Sequence, residues 1–168
     1  MARARSTAPR DRIDPKAATW SGLIAGVVFM MMEMILVAVT GGSPWGPPRM
    51  MAAMVMGETV LPPPASFDLV VFMVAMIVHF VLSVILAFPL AWAISRWQLS
   101  FGTALALGAA FGLLIYLVNF YPVTAILFPW FAMARNWITI SSHIVFGLVL
   151  AWAYLALARR APSTTNPS

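Results

Sequence analysis

The chain has 168 residues, 62% of them hydrophobic and 9% charged, with a net charge of +5 and no cysteine. Charged residues make up about 25% of an ordinary soluble domain, so a water-soluble fold is excluded. The absence of cysteine excludes disulfides, thiolate metal sites, a cysteine nucleophile and covalently attached haem.

Met1 to Lys16 forms a basic tail with Arg3, Arg5, Arg10, Arg12 and Lys16, punctuated by Pro9 and Pro15. Its composition predicts disorder. The apolar run that follows is too long for a signal peptide and contains Glu33, so it reads as an uncleaved first span over 18–40. Gly41-Gly42-Ser43-Pro44 stops it, and Pro47-Pro48 pre-sets a short Met-rich helix from Arg49 to Gly57 that suits the membrane interface. Pro62-Pro63-Pro64 is a stiff linker. Ser66 or Asp68 caps a second span over 68–94, which Pro89 should kink. Arg96-Trp97-Gln98 turns the chain into a third span over 101–121, ended by Pro122. Val123 to Asn136 is a second loop that can dip back into the membrane where protein covers its backbone. A fourth span covers 137–157, and a tail over 159–168 follows. The expected fold is all-α: one transmembrane domain over 18–158, a four-helix bundle with short interfacial helices in its longer loops.

The two halves echo each other. Gly22, Gly26 and Glu33 map onto Gly108, Gly112 and Asn119 at one constant offset. Pro44-Trp45 answers Pro129-Trp130, with Arg49 and Arg135 following. His79-Phe-Val-Leu-Ser-Val-Ile-Leu-Ala87 answers His143-Ile-Val-Phe-Gly-Leu-Val-Leu-Ala151. The pattern is a helical hairpin used twice. Each hairpin has two spans, so both repeats enter the membrane in the same sense. The N-tail, the Arg96 turn and the C-tail hold eight of the ten Lys and Arg residues. The positive-inside rule therefore puts both termini in the cytoplasm. The same rule accounts for the basic balance, and no aromatic-plus-basic strip suggests nucleic acid as a partner.

Gly22 and Gly26 share one helix face, as do Gly108 and Gly112, and such pairs let helices pack closely in lipid. The stripes His79, Ser83, Ala87 and His143, Gly147, Ala151 are narrow enough to receive them. A carboxylate inside a span costs on the order of 3 kcal/mol, so Glu33 should face protein, with His79 as the expected partner. Glu33, His79, Asn119 and His143 are thus expected to form a polar intramembrane seam. The seam reads as a clasp between helices; the alternative is an ion or proton path through an oligomer. A b-type haem between His79 and His143 is a second alternative. Met30 to Met34 with Met50, Met51, Met54 and Met56 could offer thioethers to Cu(I), but methionine is also ordinary apolar filler, and no metal site is expected. Trp45, Arg49, Trp130 and Arg135 read as interface anchors; the other uses for the two arginines are an anionic headgroup or a bond between the two Trp-bearing loops. Ser141-Ser142-His143 is no nucleophile–base pair, because adjacent helix positions point apart. No nucleotide loop, zinc signature or hydrolase elbow is present, and no enzymatic activity or cofactor is expected.

The GLIAG of the first span, HFVLSVILA of the second, the Pro-Trp loop and SHIVFGLVLAWAY of the last resemble the YagU-type bacterial inner-membrane proteins. The resemblance covers most of Trp20 to Leu157. It implies four spans, a bacterial inner membrane and no assigned activity. The Pro-rich loop from Pro44 to Phe67 is longer here, and no residue role carries over. The expectation is a non-enzymatic membrane module that self-associates or assembles with a membrane partner.

Overall fold

The computed structural model describes residues 12–158. The expected disorder of the N-tail falls largely on residues 1–11, and Arg159 and Arg160 belong to 159–168. Both stretches lie outside the described residues. The elements in order are α1 (Pro15–Val39), α2 (Gly46–Met56), a 3-10 turn (Glu58–Val60), α3 (Leu69–Arg96), α4 (Phe101–Val118), a π turn (Asn119–Val123), α5 (Thr124–Ile126), a second 3-10 helix (Pro129–Ala134) and α6 (Trp137–Ala158). No strand occurs among the described residues.

Four helical stretches of 22 to 28 residues are long and apolar enough to cross a membrane: Pro15–Val39, Leu69–Arg96, Phe101–Ile126 and Trp137–Ala158. At about 1.5 Å per residue the shortest reaches roughly 33 Å, against a hydrocarbon core of about 30 Å. Large apolar side chains such as Met31, Ile35, Ile77, Val81, Ile85 and Leu114 face outward. In lipid such a surface carries no penalty. The protein is an all-α bundle of four membrane-length helices.

Local signals set the helix starts. Asp14 accepts the Ala17 amide at 3.0 Å and Pro15 occupies the first turn, so α1 begins three residues ahead of the expected Ala18. Asp68, not Ser66, caps α3 through the Val71 amide at 2.9 Å. Pro122 does not end the third span. Proline has no N–H to offer the carbonyl four residues back. The helix widens instead into the π turn, where the Thr124 amide reaches the Asn119 carbonyl, and then runs on to Ile126.

The helices stand in the order α3, α1, α6, α4. α1 packs on α3 and α6, and α6 packs on α1 and α4, whereas α3 and α4 scarcely touch although one short turn joins them. Alanines at positions 18, 25, 87, 91, 104 and 151 are buried in the core with Leu90, Ile94 and Leu150. These small side chains let the axes come close. At one end Tyr154 Oη lies 2.6 Å from Ser95 Oγ and accepts the Asp14 amide at 3.3 Å, which gathers the outer ends of α1, α3 and α6. This is the tail end. At the opposite, loop end, α2 lies on α3, and Trp130 Nε1 donates to the Met50 carbonyl at 3.2 Å.

Candidate functional site

The glycines decide how the helices meet. A methyl group on Gly22 would stand 2.8 Å from the Ser83 carbonyl oxygen, and one on Gly26 the same distance from Ser83 Oγ. In the other half, Gly108 faces the Gly147 carbonyl and Gly112 the His143 carbonyl, both closer than any side chain allows. Each glycine pair therefore lies against a His-led stripe: Gly22 and Gly26 on Ser83 and Ala87, and Gly108 and Gly112 on His143, Gly147 and Ala151.

That closeness brings the polar residues together. His79 Nε2 donates to the Gly26 carbonyl at 2.8 Å. His143 Nδ1 donates to the Thr139 carbonyl, one turn back on its own helix, at 2.7 Å. The Phe29 ring stacks on the His79 ring at 5.5 Å and meets the His143 ring edge-on at 4.8 Å. Tyr116 and Phe120 close on His143 from α4 and the π turn. Both imidazoles are buried. They line a cavity of about 60 Å³ together with Asn119, Ser83, Phe29 and Met51. The π turn sets Asn119 at the cavity wall and is itself braced by Thr124 Oγ1, which donates to the Asn119 carbonyl at 2.8 Å.

Glu33 stands apart from this group. It is buried, yet His79 is not its partner. The carboxyl group instead faces the Ser142 and Thr139 hydroxyls of α6. Neither Glu33 Oε1 nor Ser142 Oγ completes a hydrogen bond. The sequence pairing failed because it matched charge type without the rotation of α1. Glu33 looks toward α6, whereas α3 meets α1 through Gly22 and Gly26. Thr139 and Ser142 were missed as partners. Their spacing along one face with His143 was the available signal.

The loop residues are tied into their own loops. Arg49 donates from Nε to the Ser66 carbonyl at 2.9 Å and from Nη1 to the Val60 carbonyl at 2.7 Å. Arg135 Nε donates to the Phe120 carbonyl at 2.6 Å, and its guanidinium lies 4.8 Å above the Tyr121 ring. Both arginines thus bond backbone carbonyls of their own segments and not of the opposite loop. Trp45 packs on Phe67 at 4.8 Å, and Trp130 joins the two loops through Met50.

A haem between His79 and His143 does not fit. Phe29 packs against both rings, and the cavity of about 60 Å³ is far below the roughly 300 Å³ or more of a cofactor pocket. Among the described residues no three His, Cys, Asp or Glu side chains converge. Ser142 and His143 do not form a nucleophile–base pair, since Ser142 Oγ makes no hydrogen bond to the imidazole.

Comparison with protein-family models, curated proteins and solved structures finds no match. The fold and the site define a multi-pass, all-α membrane protein. Its polar groups are held between the helices.

Proposed function

We propose that the protein is a non-enzymatic assembly module of the bacterial inner membrane, with both termini cytoplasmic, and that it pairs with a second copy along the open side between α3 and α4. The observation that carries this is the uneven packing of two similar hairpins. If α1 and α3 correspond to α4 and α6, the close α1–α6 contact has a counterpart between α4 and α3. That counterpart is nearly empty. A second copy offers the same kind of face and completes it.

The distribution of polar groups supports assembly over conduction. His79, Asn119, His143 and Glu33 lie toward the loop end, and the half toward the tails is filled by Leu90, Ile94, Leu150 and the Ser95–Tyr154 contact. A transport path would need to cross that apolar block. The resemblance to the YagU-type proteins supports the inner-membrane setting.

The test uses the lack of native cysteine. Leu86 lines the cavity between α3 and α4, whereas Val27 is exposed on α1. Leu86→Cys and Val27→Cys are treated in native membranes with a short bismaleimide. A cross-linked homodimer from Leu86→Cys, weak or absent from Val27→Cys, is expected. Equal products, or a monomeric mass in mild detergent with no product at Leu86, sink the proposal.

A further inference from the structure

The two loop arginines are not held alike. Arg49 is half-buried and gives both Nε and Nη1 to carbonyls of its own loop. Arg135 is exposed, and only its Nε is engaged, by the Phe120 carbonyl at 2.6 Å. Its guanidinium carbon lies 4.8 Å from the centroid of the Tyr121 ring. That bond and that stack fix the plane of the guanidinium fork. Neither η nitrogen has a hydrogen-bond partner among the described residues, and no carboxylate pairs with it there. No Asp or Glu follows Asp68 anywhere in the chain. The second loop therefore holds a positioned, uncompensated cation.

Its surroundings are those of a headgroup site. Arg135 stands two residues before the fourth span, at the loop end. Tyr121 beneath it and Trp137 just after it are both exposed, and such rings settle at the headgroup level of a bilayer. Leu117 and Leu114 lie four and seven residues before Tyr121, exposed on the same face of α4. An acyl chain along that strip brings its phosphate to the level of the guanidinium. A planar guanidinium matches a phosphate with two parallel N–H bonds. An anionic headgroup fits best, because a choline or ethanolamine headgroup sets a second cation beside Arg135.

We propose that Arg135, with Tyr121, Leu117 and Leu114, binds one anionic glycerophospholipid from the leaflet at the loop end. The phosphate sits on the η nitrogens and one chain runs along α4. The strip is separate from the cavity side of α4, which Ile115 and Asn119 line, so the site does not depend on pairing with a second copy.

The experiment titrates the purified full chain in mild detergent with phosphatidylglycerol, phosphatidylcholine and diacylglycerol of identical chains. Bound lipid is read by native mass spectrometry. One phosphatidylglycerol per chain should be retained, more tightly than phosphatidylcholine, and diacylglycerol should be lost. Excess inorganic phosphate should not displace the lipid. Arg135→Gln should weaken retention about fivefold, the scale of one basic residue at an anionic surface. Arg49→Gln should leave it unchanged. Thermal melts show which variants are folded, and the wild-type lipid series decides the matter even if Arg135→Gln is not. Four results overturn the proposal: equal retention of the three lipids, unchanged retention in folded Arg135→Gln, equal loss in the two arginine variants, or displacement by inorganic phosphate, which would mark a site for a free anion.

Discussion

Alanine in place of Gly112 should separate α4 from α6. A methyl group there lands on the His143 carbonyl oxygen, 2.8 Å from its carbon and 3.2 Å from Ile144 Cα. All three atoms are backbone, so no side chain can turn aside and the helices must part. Overpacking of this kind costs about 1–3 kcal/mol. Alanine returns about 1 kcal/mol in helix propensity, which leaves a net loss of up to about 2 kcal/mol. Gly26 gives a graded comparison. Its nearest neighbour is Ser83 Oγ at 2.8 Å, a side-chain end that can turn, and Ser83 Cβ at 3.1 Å must give slightly, so after the helix-propensity gain Gly26→Ala should be close to neutral. Gly102 has nothing within 4 Å, and Gly102→Ala should keep up to about 1 kcal/mol of gain. Thermal unfolding in one detergent, followed by far-UV circular dichroism, should rank stability as Gly102→Ala, then wild type with Gly26→Ala, then Gly112→Ala. If Gly112→Ala proves as stable as Gly102→Ala, the backbone approach of α4 to α6 is not what holds these helices together.

A double-mutant cycle of Glu33→Leu with Ser142→Ala should give a coupling no larger than about 0.6 kcal/mol, the average for hydrogen-bonded pairs in membranes, whereas Glu33→Leu with His79→Leu should be additive. The reverse outcome would place the carboxyl group against α3. Arg135→Ala removes a partly exposed hydrogen bond to the Phe120 carbonyl and should cost about 0.5–1.5 kcal/mol in the same melt. Arg135→Lys should not restore it, because the Nε donor and the planar stacking on Tyr121 are both lost. Reporter fusions at the C-terminus and at Ala65 should read as cytoplasmic and external respectively, and an active external reporter at the C-terminus would reverse the orientation.

Composition and spacing carried the helix count and the small-residue faces. A run near 20 apolar residues has one outcome in a bilayer, and glycines four apart mark a contact face wherever the helix turns. Asp14-Pro15 and Asp68 also wrote their caps into the sequence, although the first was read three residues late. The partner of Glu33 was not legible. Both the lipid-facing and the protein-facing sides of these spans are apolar, so hydrophobic periodicity says little about rotation, and rotation decides whether Glu33 meets α3 or α6. Pro122 was misread for a related reason. Proline removes one donor, but a membrane helix can absorb the gap by widening one turn, and the Arg135 side chain then reaches back to the Phe120 carbonyl. That compensation comes from a residue outside the helix, where local signals do not reach.

The order α3, α1, α6, α4 has a consequence for the timing of synthesis. α6 is the last of the four spans to leave the ribosome, yet it supplies the neighbouring surface of both α1 and α4. Until it enters the membrane, Gly108 and Gly112 have no partner backbone, and Glu33 lacks the hydroxyls of Thr139 and Ser142. The first hairpin must therefore keep a carboxyl group in the bilayer until the fourth span arrives. Closure of the bundle is thus set by arrival of the fourth span.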